Sequence, residues 1–440
     1  MKINRKELLE AVKVASKLTS GHGNFPVLQC VLLDGPGQRL VATDLKIGLF
    51  APLEITDYTR ETEPETIPDD MLEGLKAQHL KEVAAQFDVE LTGKATVAVM
   101  KESILNKFRE EAQAGTIHEE AYCLPAASFG KILATLEEDV VEITLANTDE
   151  GNGMLFGDSQ GPRVRIGNNF HDLATFPVDE FPVPRTEMDA DSELAELTVT
   201  RKGLLDVAVA ADKEKDTGFR LGVLHFDLSD RENPSVVATD GHRLHWTSLS
   251  KETVKAPESV TGFSMPLEAM KMVKALFPKD DDVITVGFDT SGKDIRIAYG
   301  KGGLLVVRTS ETRFPDWKRV VPAESAKSVT IAKADMEKPL QQALTISGEK
   351  YRGFRVKFNG GIDVEFTNPE KGAYQKISIP VKKKSYADDE ETLIGINGKF
   401  VLDAMGPIDS EDMVISFGDN SKPICMGHGN YHALVMPMRV

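Results

Sequence analysis

The tetrapeptide VATD occurs twice, at 41–44 and at 237–240, and each copy occupies the same place in a longer pattern. The first follows an amphipathic stretch over about 5–18, then FPVLQCVLLD, then a Gly-Pro-Gly turn, and continues as RLVATDLKIGLFAPLEI. The second follows a helical stretch over about 200–212, then GFRLGVLHFDL and a polar turn, and continues as SVVATDGHRLHWTSL. A third version runs from helical residues 333–346 through YRGFRVKF and Asn359-Gly360-Gly361 into IDVEFTNPEKGAYQKISIPV, with Thr367-Asn368 where Thr-Asp stood. Each unit reads as helix, strand, turn, strand, because apolar residues recur every three to four positions in the first part and alternate in the second. A chain that repeats such a unit must bury a similar core several times over.

The second half of each unit repeats as well. AYCLPAASFGKILATL, GFSMPLEAMKMVKAL and LIGINGKFVLDAM each read as a strand leading into a short helix, followed by two or three further strands. The period is far longer than that of a solenoid repeat. The pattern therefore predicts an α+β protein of three tandem globular domains, each with two helices and many antiparallel strands: 1–190, 191–325 and 326–440. Spacing exposes an insertion. Asp44 and Asp240 are 196 residues apart, whereas Asp240 and Asn368 are 128 apart, and the excess of 68 lies in the first unit. Residues 59–118 supply it, reading as an acidic, Pro-containing linker followed by a helix–loop–helix module.

The net charge of −17 gives no overall basic footprint for nucleic acid, so any such contact depends on where the charges sit. The three cysteines (Cys30, Cys123, Cys425) are odd in number and widely spaced, which suits a reducing, cytoplasmic setting. Residues 1–18 carry Glu10 among the apolar positions and do not read as a signal peptide. With no apolar run of about 18 residues, no membrane contact is expected.

Several motifs imitate catalysis. GDSQG at 157–161 fits G-x-S-x-G, but Pro162 and the strand RVRIG follow Ser159, where a nucleophile elbow needs a helix. GFDTSGKD at 287–294 fits a phosphate loop except that Asp294 replaces the magnesium-binding Ser or Thr and a strand follows. HGNYH at 428–432 spaces two histidines for a helical metal site, yet Gly429-Asn430 spells a turn. No metal or cofactor is expected. Asp240 and His242 are an acid/base pair by composition. However, the Asp position recurs as Asp44 and Asn368, which favours a turn-capping role for it. Gly241, His242 and Arg243 do not recur, so their role belongs to the middle domain.

ATDGHRLHW, RFPDWKRVVP and the terminal VMPMRV, with NFPVLQCVLL near the start and SGEKYRGFRVKF in the third unit, together resemble the bacterial sliding-clamp family, the beta subunits of DNA polymerase III. The resemblance covers nearly the whole chain apart from the insertion. It implies three similar domains per chain and a head-to-tail homodimeric ring around double-stranded DNA, held without sequence preference. It also implies a processivity factor without a catalytic site, and docking of the replicative polymerase, the clamp loader and other proteins carrying a short clamp-binding peptide.

By motif matching, the resemblance places a partner-peptide groove between the middle and last domains. It is carried by Leu221, Thr239, Gly241, His242, Arg243 and Leu244, by Pro315, Arg319 and Val320, and by Leu434, Met436, Pro437, Met438, Arg439 and Val440. Trp317 stands where the family more often has Tyr, and Val440 where it has Leu. DNA contact is implied at His22, Arg201, Lys202, Lys215, Phe219 and Arg220. The inserted LKAQHLKEVAAQFDVELTGKATVAVMKESILNKF looks like small helix–extended loop–helix modules, some of which bind nucleic acid; it suggests an added contact through Lys76, Lys81, Lys94 and Lys101. A hydrolase using Ser159 or His242, and a scaffold binding proteins but not DNA, stand as the alternatives.

Overall fold

The computed structural model describes residues 1–20, 25–57, 121–145, 163–167, 171–186, 192–212, 221–290, 293–323, 327–347, 352–368, 370–387 and 391–439. The inserted module, Ser159, His22, Lys215, Phe219, Arg220 and Val440 lie outside them. The chain divides into two compact units, Met1–Pro184 with Lys301–Gly303, and Arg185–Gly300 with Leu304–Val440. It is an α+β fold of antiparallel sheets and few helices.

In the first unit, helix α1 (Arg5–Thr19) starts where Asn4 Oδ1 accepts hydrogen bonds from the Lys6 and Glu7 amides, satisfying two of the free N–H groups of the first turn. It buries Leu8, Val12, Ala15 and Leu18 and leaves Lys6, Lys13 and Lys17 exposed. Helix α2 (Ala126–Thr135) buries Ala126, Phe129 and Leu133. At Gly130 a Cβ would stand 3.2 Å from Val12 Cγ1, so the glycine lets the two helices pack closely. Strands Ile47–Pro52, Arg39–Thr43, Cys30–Asp34 and Ala121–Pro125 pair in that order, and a second sheet runs Ile55–Thr56, Lys2–Asn4, Val140–Leu145, Arg163–Ile166, His171–Ala174.

The second unit holds helices α3 (Arg201–Ala208), α4 (Met270–Leu276), α5 (Lys333–Ser347) and α6 (Gly398–Met405). Its widest sheet has nine strands, ordered Gly262–Pro266, Val223–Asp227, Ser235–Thr239, Arg243–Ser248, Tyr431–Val435, Ile424–His428, Asp412–Phe417, Lys327–Ala332, Lys383–Lys384. At its centre the strand after the second VATD pairs with the last strand of the chain, Leu244 opposite Leu434 and Trp246 opposite His432. Ladder hydrogen bonds thus run across the expected 325 boundary. A separate four-stranded sheet, Ala373–Ile379, Ile362–Asn368, Gly353–Phe358, Thr392–Asn397, covers the core of Phe354, Phe358, Phe366 and Phe417.

Some element boundaries differ from the sequence reading. Residues 39–55 form two main strands rather than one, because the backbone reverses at Asp44–Lys46. The helix expected over 200–212 ends at Ala208. Residues 26–29 are a 3-10 turn set by Pro26, so the strand begins only at Cys30.

The repeated VATD is a hydrogen-bonded turn. Asp44 Oδ1 accepts from the amides of Lys46 and Ile47 at 3.0 and 2.7 Å, while Thr43 Oγ1 accepts from Leu45 N and donates to Ile47 O. Asp240 Oδ1 accepts from His242 and Arg243 at 3.0 Å each, while Thr239 Oγ1 accepts from Gly241 N and donates to Arg243 O. Asn368 Oδ1 accepts from Glu370 and Lys371. The shared residue is a backbone clasp in all three places, as its short polar side chain favours.

Candidate peptide-binding groove

Side chains alternate across a strand, so Arg243–Ser248 sends Leu244 and Trp246 to one face and Arg243 and His245 to the other. On the first face Val237, Leu244, Trp317 and Leu434 form a small buried cluster, joined by half-buried Trp246, Phe314, Cys425 and Met436. Above it opens a cavity of about 570 Å³. Leu221, Leu244, Phe314, Pro315, Trp317, Val320, Leu434 and Met436 give it an apolar lining, and Thr239, Gly241, Arg243, Arg313, Asp316 and Arg319 supply its polar positions. A few polar groups around an apolar depression are what an amphipathic ligand needs.

Its floor is held from beneath. Trp317 Nε1 donates to Asp227 Oδ2 at 2.8 Å, and Asp227 also accepts from the amide and hydroxyl of Ser229 and pairs with Lys318 at 3.2 Å. Burial pushes the Asp227 carboxyl up, but these donors outweigh it and hold it below the usual carboxylate range. His225 stacks on Phe314 at 4.6 Å, and burial lowers its pKa to about 4, so the ring backing that wall is neutral at pH 7. Indole and phenyl groups therefore stand on a fixed polar footing and present an apolar surface above it.

On the opposite face, Arg243 is consumed. Its Nε donates to Asp240 Oδ2 at 3.0 Å, its Nη1 pairs with Asp403 of α6, and its guanidinium lies 4.5 Å over the Phe400 ring. Next to it His245 is fully buried; its Nδ1 stands 3.2 Å from Asp206 O and 3.1 Å from Tyr431 Oη, while the Tyr431 hydroxyl donates to Ala404 O. With the tyrosine proton committed to Ala404, the imidazole proton sits on Nδ1. Among the described residues Nε2 then has no hydrogen-bond partner, and burial lowers the pKa to about 4.

Of the residues assigned to the groove from sequence, Leu221, Thr239, Gly241, Arg243, Leu244, Pro315, Arg319, Val320, Leu434 and Met436 line this one cavity. Arg243 does so as a strut rather than as a free cation. His242, Pro437, Met438 and Arg439 are not among its lining residues. The exposed His242 instead lies against Phe400 at 6.3 Å, its carbonyl accepting from Met436 N, and Met438 N donates to Gly395 O. The sequence reading omitted Arg313, Phe314, Asp316 and Trp317, although all four sit inside the RFPDW that flagged Pro315. Among the DNA candidates, Arg201 pairs with Asp280, and Lys202 with Asp206 at 2.7 Å and Asp409 at 3.4 Å. The GFDTSGKD stretch joins two antiparallel strands, with Asp289 opposite Asp294, and HGNYH is a hairpin end; neither precedes a helix. Among the described residues no cluster of metal-ligating side chains occurs, and no helix is long and apolar enough to cross a membrane.

Residues 318–439, which contribute Arg319, Val320, Leu434 and Met436 to the groove, match the family model of the DNA polymerase III beta subunit, C-terminal domain. Over nearly its full length the chain is 24% identical to a beta sliding clamp of Pseudomonas putida, across 402 residues covering 89% of this chain and 98% of that protein. The chain is similar to the bacterial beta sliding clamps. A Vibrio cholerae beta sliding clamp is 25% identical over 377 residues, covering 83% of this chain and 90% of that clamp. Among solved structures, the beta subunit from DNA polymerase of Streptococcus pyogenes aligns with a TM-score of 0.72 at 17% identity, covering 100% and 99% of the two chains. A Pseudomonas aeruginosa sliding clamp with ligand aligns at 0.70 and 20%, with the same coverage. The sliding-clamp fold accounts for the described α+β architecture, and the groove is built from the same motifs that carried the resemblance.

Proposed function

We propose that this protein is a DNA sliding clamp: a homodimeric ring that encircles duplex DNA, confers processivity on the replicative DNA polymerase and docks partner proteins through the Leu244–Leu434 groove. The observation that carries this reading is the match to 98% of a beta sliding clamp, combined with an apolar groove assembled from the chain's most clamp-like motifs. The domains 1–190, 191–325 and 326–440 follow from the threefold recurrence of the Asp/Asn clasp. The groove then lies between the second and third, where the nine-stranded sheet is continuous.

A ring holds DNA by topology, so its contacts to phosphate can be few and blind to sequence. The helices suit that. Lys6, Lys13, Lys17, Lys131, Lys271, Lys274 and Lys338 are exposed on them, while Arg201 and Lys202 are largely neutralised in place. The net charge of −17 leaves the rest of the surface acidic and DNA-repelling. The protein performs no chemistry of its own, needs no cofactor, acts in the cytoplasm, and relies on a separate loader for ATP.

The test is topological. The protein, loaded onto nicked circular DNA and passed through a gel-filtration column, is expected to stay with the DNA and to be lost once the circle is linearised. A monomer in solution whose retention ignores DNA topology would overturn the reading and favour the protein scaffold. Turnover of an ester substrate abolished by Ser159→Ala or His242→Ala would favour the hydrolase.

A further inference from the structure

The groove's apolar floor does not stop at Leu244 and Leu434. Two residues further from the groove's open end on the same face of the same strands stand Trp246 and His432, directly paired across the ladder. Trp246 lies 5.6 Å from Trp317 on one side and stacks on His432 at 4.9 Å and 20° on the other. This aromatic row is made room for by Gly427, which faces His432 on the neighbouring strand. A Cβ there would stand 2.7 Å from Tyr431 O and 2.9 Å from His432 Nδ1, so any side chain would push the imidazole off the sheet.

Beside the row is a second depression of about 320 Å³, walled by Val321, Pro322, Cys425 and Val414. Val414 is 46% exposed. Among the described residues no Asp, Glu, Lys or Arg lines this depression, and burial keeps the His432 ring toward its neutral form. By contrast, the larger cleft of about 1010 Å³ on the other side of Val320 carries Lys327, Glu391, Asp419 and Lys422.

We propose that this aromatic ledge is a second docking station for the peptide that fills the groove, taking an apolar or aromatic side chain from the segment flanking the anchor. The proposal rests on the groove's being the partner-peptide site. The occupant follows from continuity: Leu244 and Leu434 and, two residues on, Trp246 and His432 are successive pairs on the same face of the same two strands. A peptide emerging along it is therefore the first chain to meet the ledge. The two rows are separated by two residues of strand rise, about 7 Å, which an extended peptide also spans in two residues. Partners with an apolar residue about two positions from the anchor gain affinity; those with a charge there do not, because an isolated charge laid on an uncharged aromatic surface loses hydration without gaining a counter-ion.

Random dodecapeptides displayed on phage are selected on the full-length protein. Synthetic fluorescein-labelled copies, complete and cut back to the anchor, are then titrated by fluorescence polarisation against the wild type and the Trp246→Ser, His432→Ser, Val414→Ser and Met436→Asp variants. Complete peptides are expected to bind Trp246→Ser and His432→Ser about tenfold more weakly, as for loss of an aromatic contact. Val414→Ser should weaken them severalfold, and anchor-only peptides should bind these three variants as they bind the wild type. Complete peptides that bind the ledge variants with wild-type affinity would overturn the proposal. Should Trp246→Ser not melt cooperatively, the exposed Val414→Ser and the His432→Ser variant decide. Binding that survives Met436→Asp would instead refute the groove itself, an outcome distinct from failure of the ledge alone.

Discussion

Arg243 reaches from the end of one central strand to Asp403 on α6, joining the second repeat to the third through a charge pair whose side chains are 9% and 14% exposed. Asp240 and Phe400 fill the rest of its coordination. Removing one partner of a pair this well shielded leaves a buried charge behind, at a cost of about 3 kcal/mol. Arg243→Met is therefore expected to lower the unfolding free energy measured in urea by that order. Arg243→Met combined with Asp403→Leu should recover part of the loss. Additive losses in the double-mutant cycle would show that the pair is not coupled.

The clasp at Asp44, Asp240 and Asn368 gives a graded expectation. Each side chain satisfies two backbone amides, and losing such a cap costs about 1 kcal/mol. Asp240→Ala should cost more than Asp44→Ala, because it also strips Arg243 of one carboxylate. Thermal melts of the two variants check the ranking, and equal shifts would contradict it. The following position carries a second signature: Leu45 has φ 73 where the second copy has Gly241 at φ 85. A left-handed leucine is strained and 65% exposed, so Leu45→Gly should leave stability unchanged or slightly raised.

Acidification should loosen the junction through His245. Its pKa is lowered to about 4 in the fold, against about 6.5 for an unfolded histidine. Between those values the unfolded chain binds the extra proton, so stability is complete above pH 6.5 and falls as pH drops toward 4, by up to about 3 kcal/mol. The groups facing the ring are the Asp206 carbonyl, the Tyr431 hydroxyl and the charges of Arg243, Asp403 and Asp240. His225, lowered to about 4 by burial, contributes the same sign. Urea titrations of wild type and His245→Phe at pH 7.5 and 5 should show a shallower acid loss in the variant; identical pH slopes would remove His245 from the account.

What the sequence made legible was the repeat and its landmarks, because turn chemistry and strand alternation are local: Asp44, Asp240 and Asn368 sit where their short side chains reach the next amides. The groove was legible only in part. Leu244, Leu434 and Met436 could be placed through motifs, but Phe314, and the part that Trp317 plays in the lining, came into view only when the fold set them over His225 and Asp227, about 90 residues away in sequence. Arg243 shows the same limit. Its charge suggested a ligand contact, whereas strand alternation and the distant Asp403 turn it into the strut of the opposite face.

Groove and ring are expected to separate genetically. Met436 lines the cavity and is half-buried, and its flexible thioether suits varied peptides. Met436→Ala should weaken a groove-binding peptide about tenfold, the scale of a lost interface anchor, while leaving retention on nicked circles intact. Loss of both together would mean that the substitution unfolds the second unit, which a melting curve would reveal.

The lysines of α1 address DNA affinity apart from topology. At 100° per residue, Lys6, Lys13 and Lys17 lie within about 40° of one another, on one exposed stripe. If they meet phosphates, each contributes about 0.9 to the slope of log affinity against log salt. Lys13→Glu combined with Lys17→Glu should therefore reduce that slope for linear duplex by about two, measured by fluorescence anisotropy. Retention on nicked circles should persist, because a closed ring leaves a circle only by opening. An unchanged slope would move the DNA contacts to other helices.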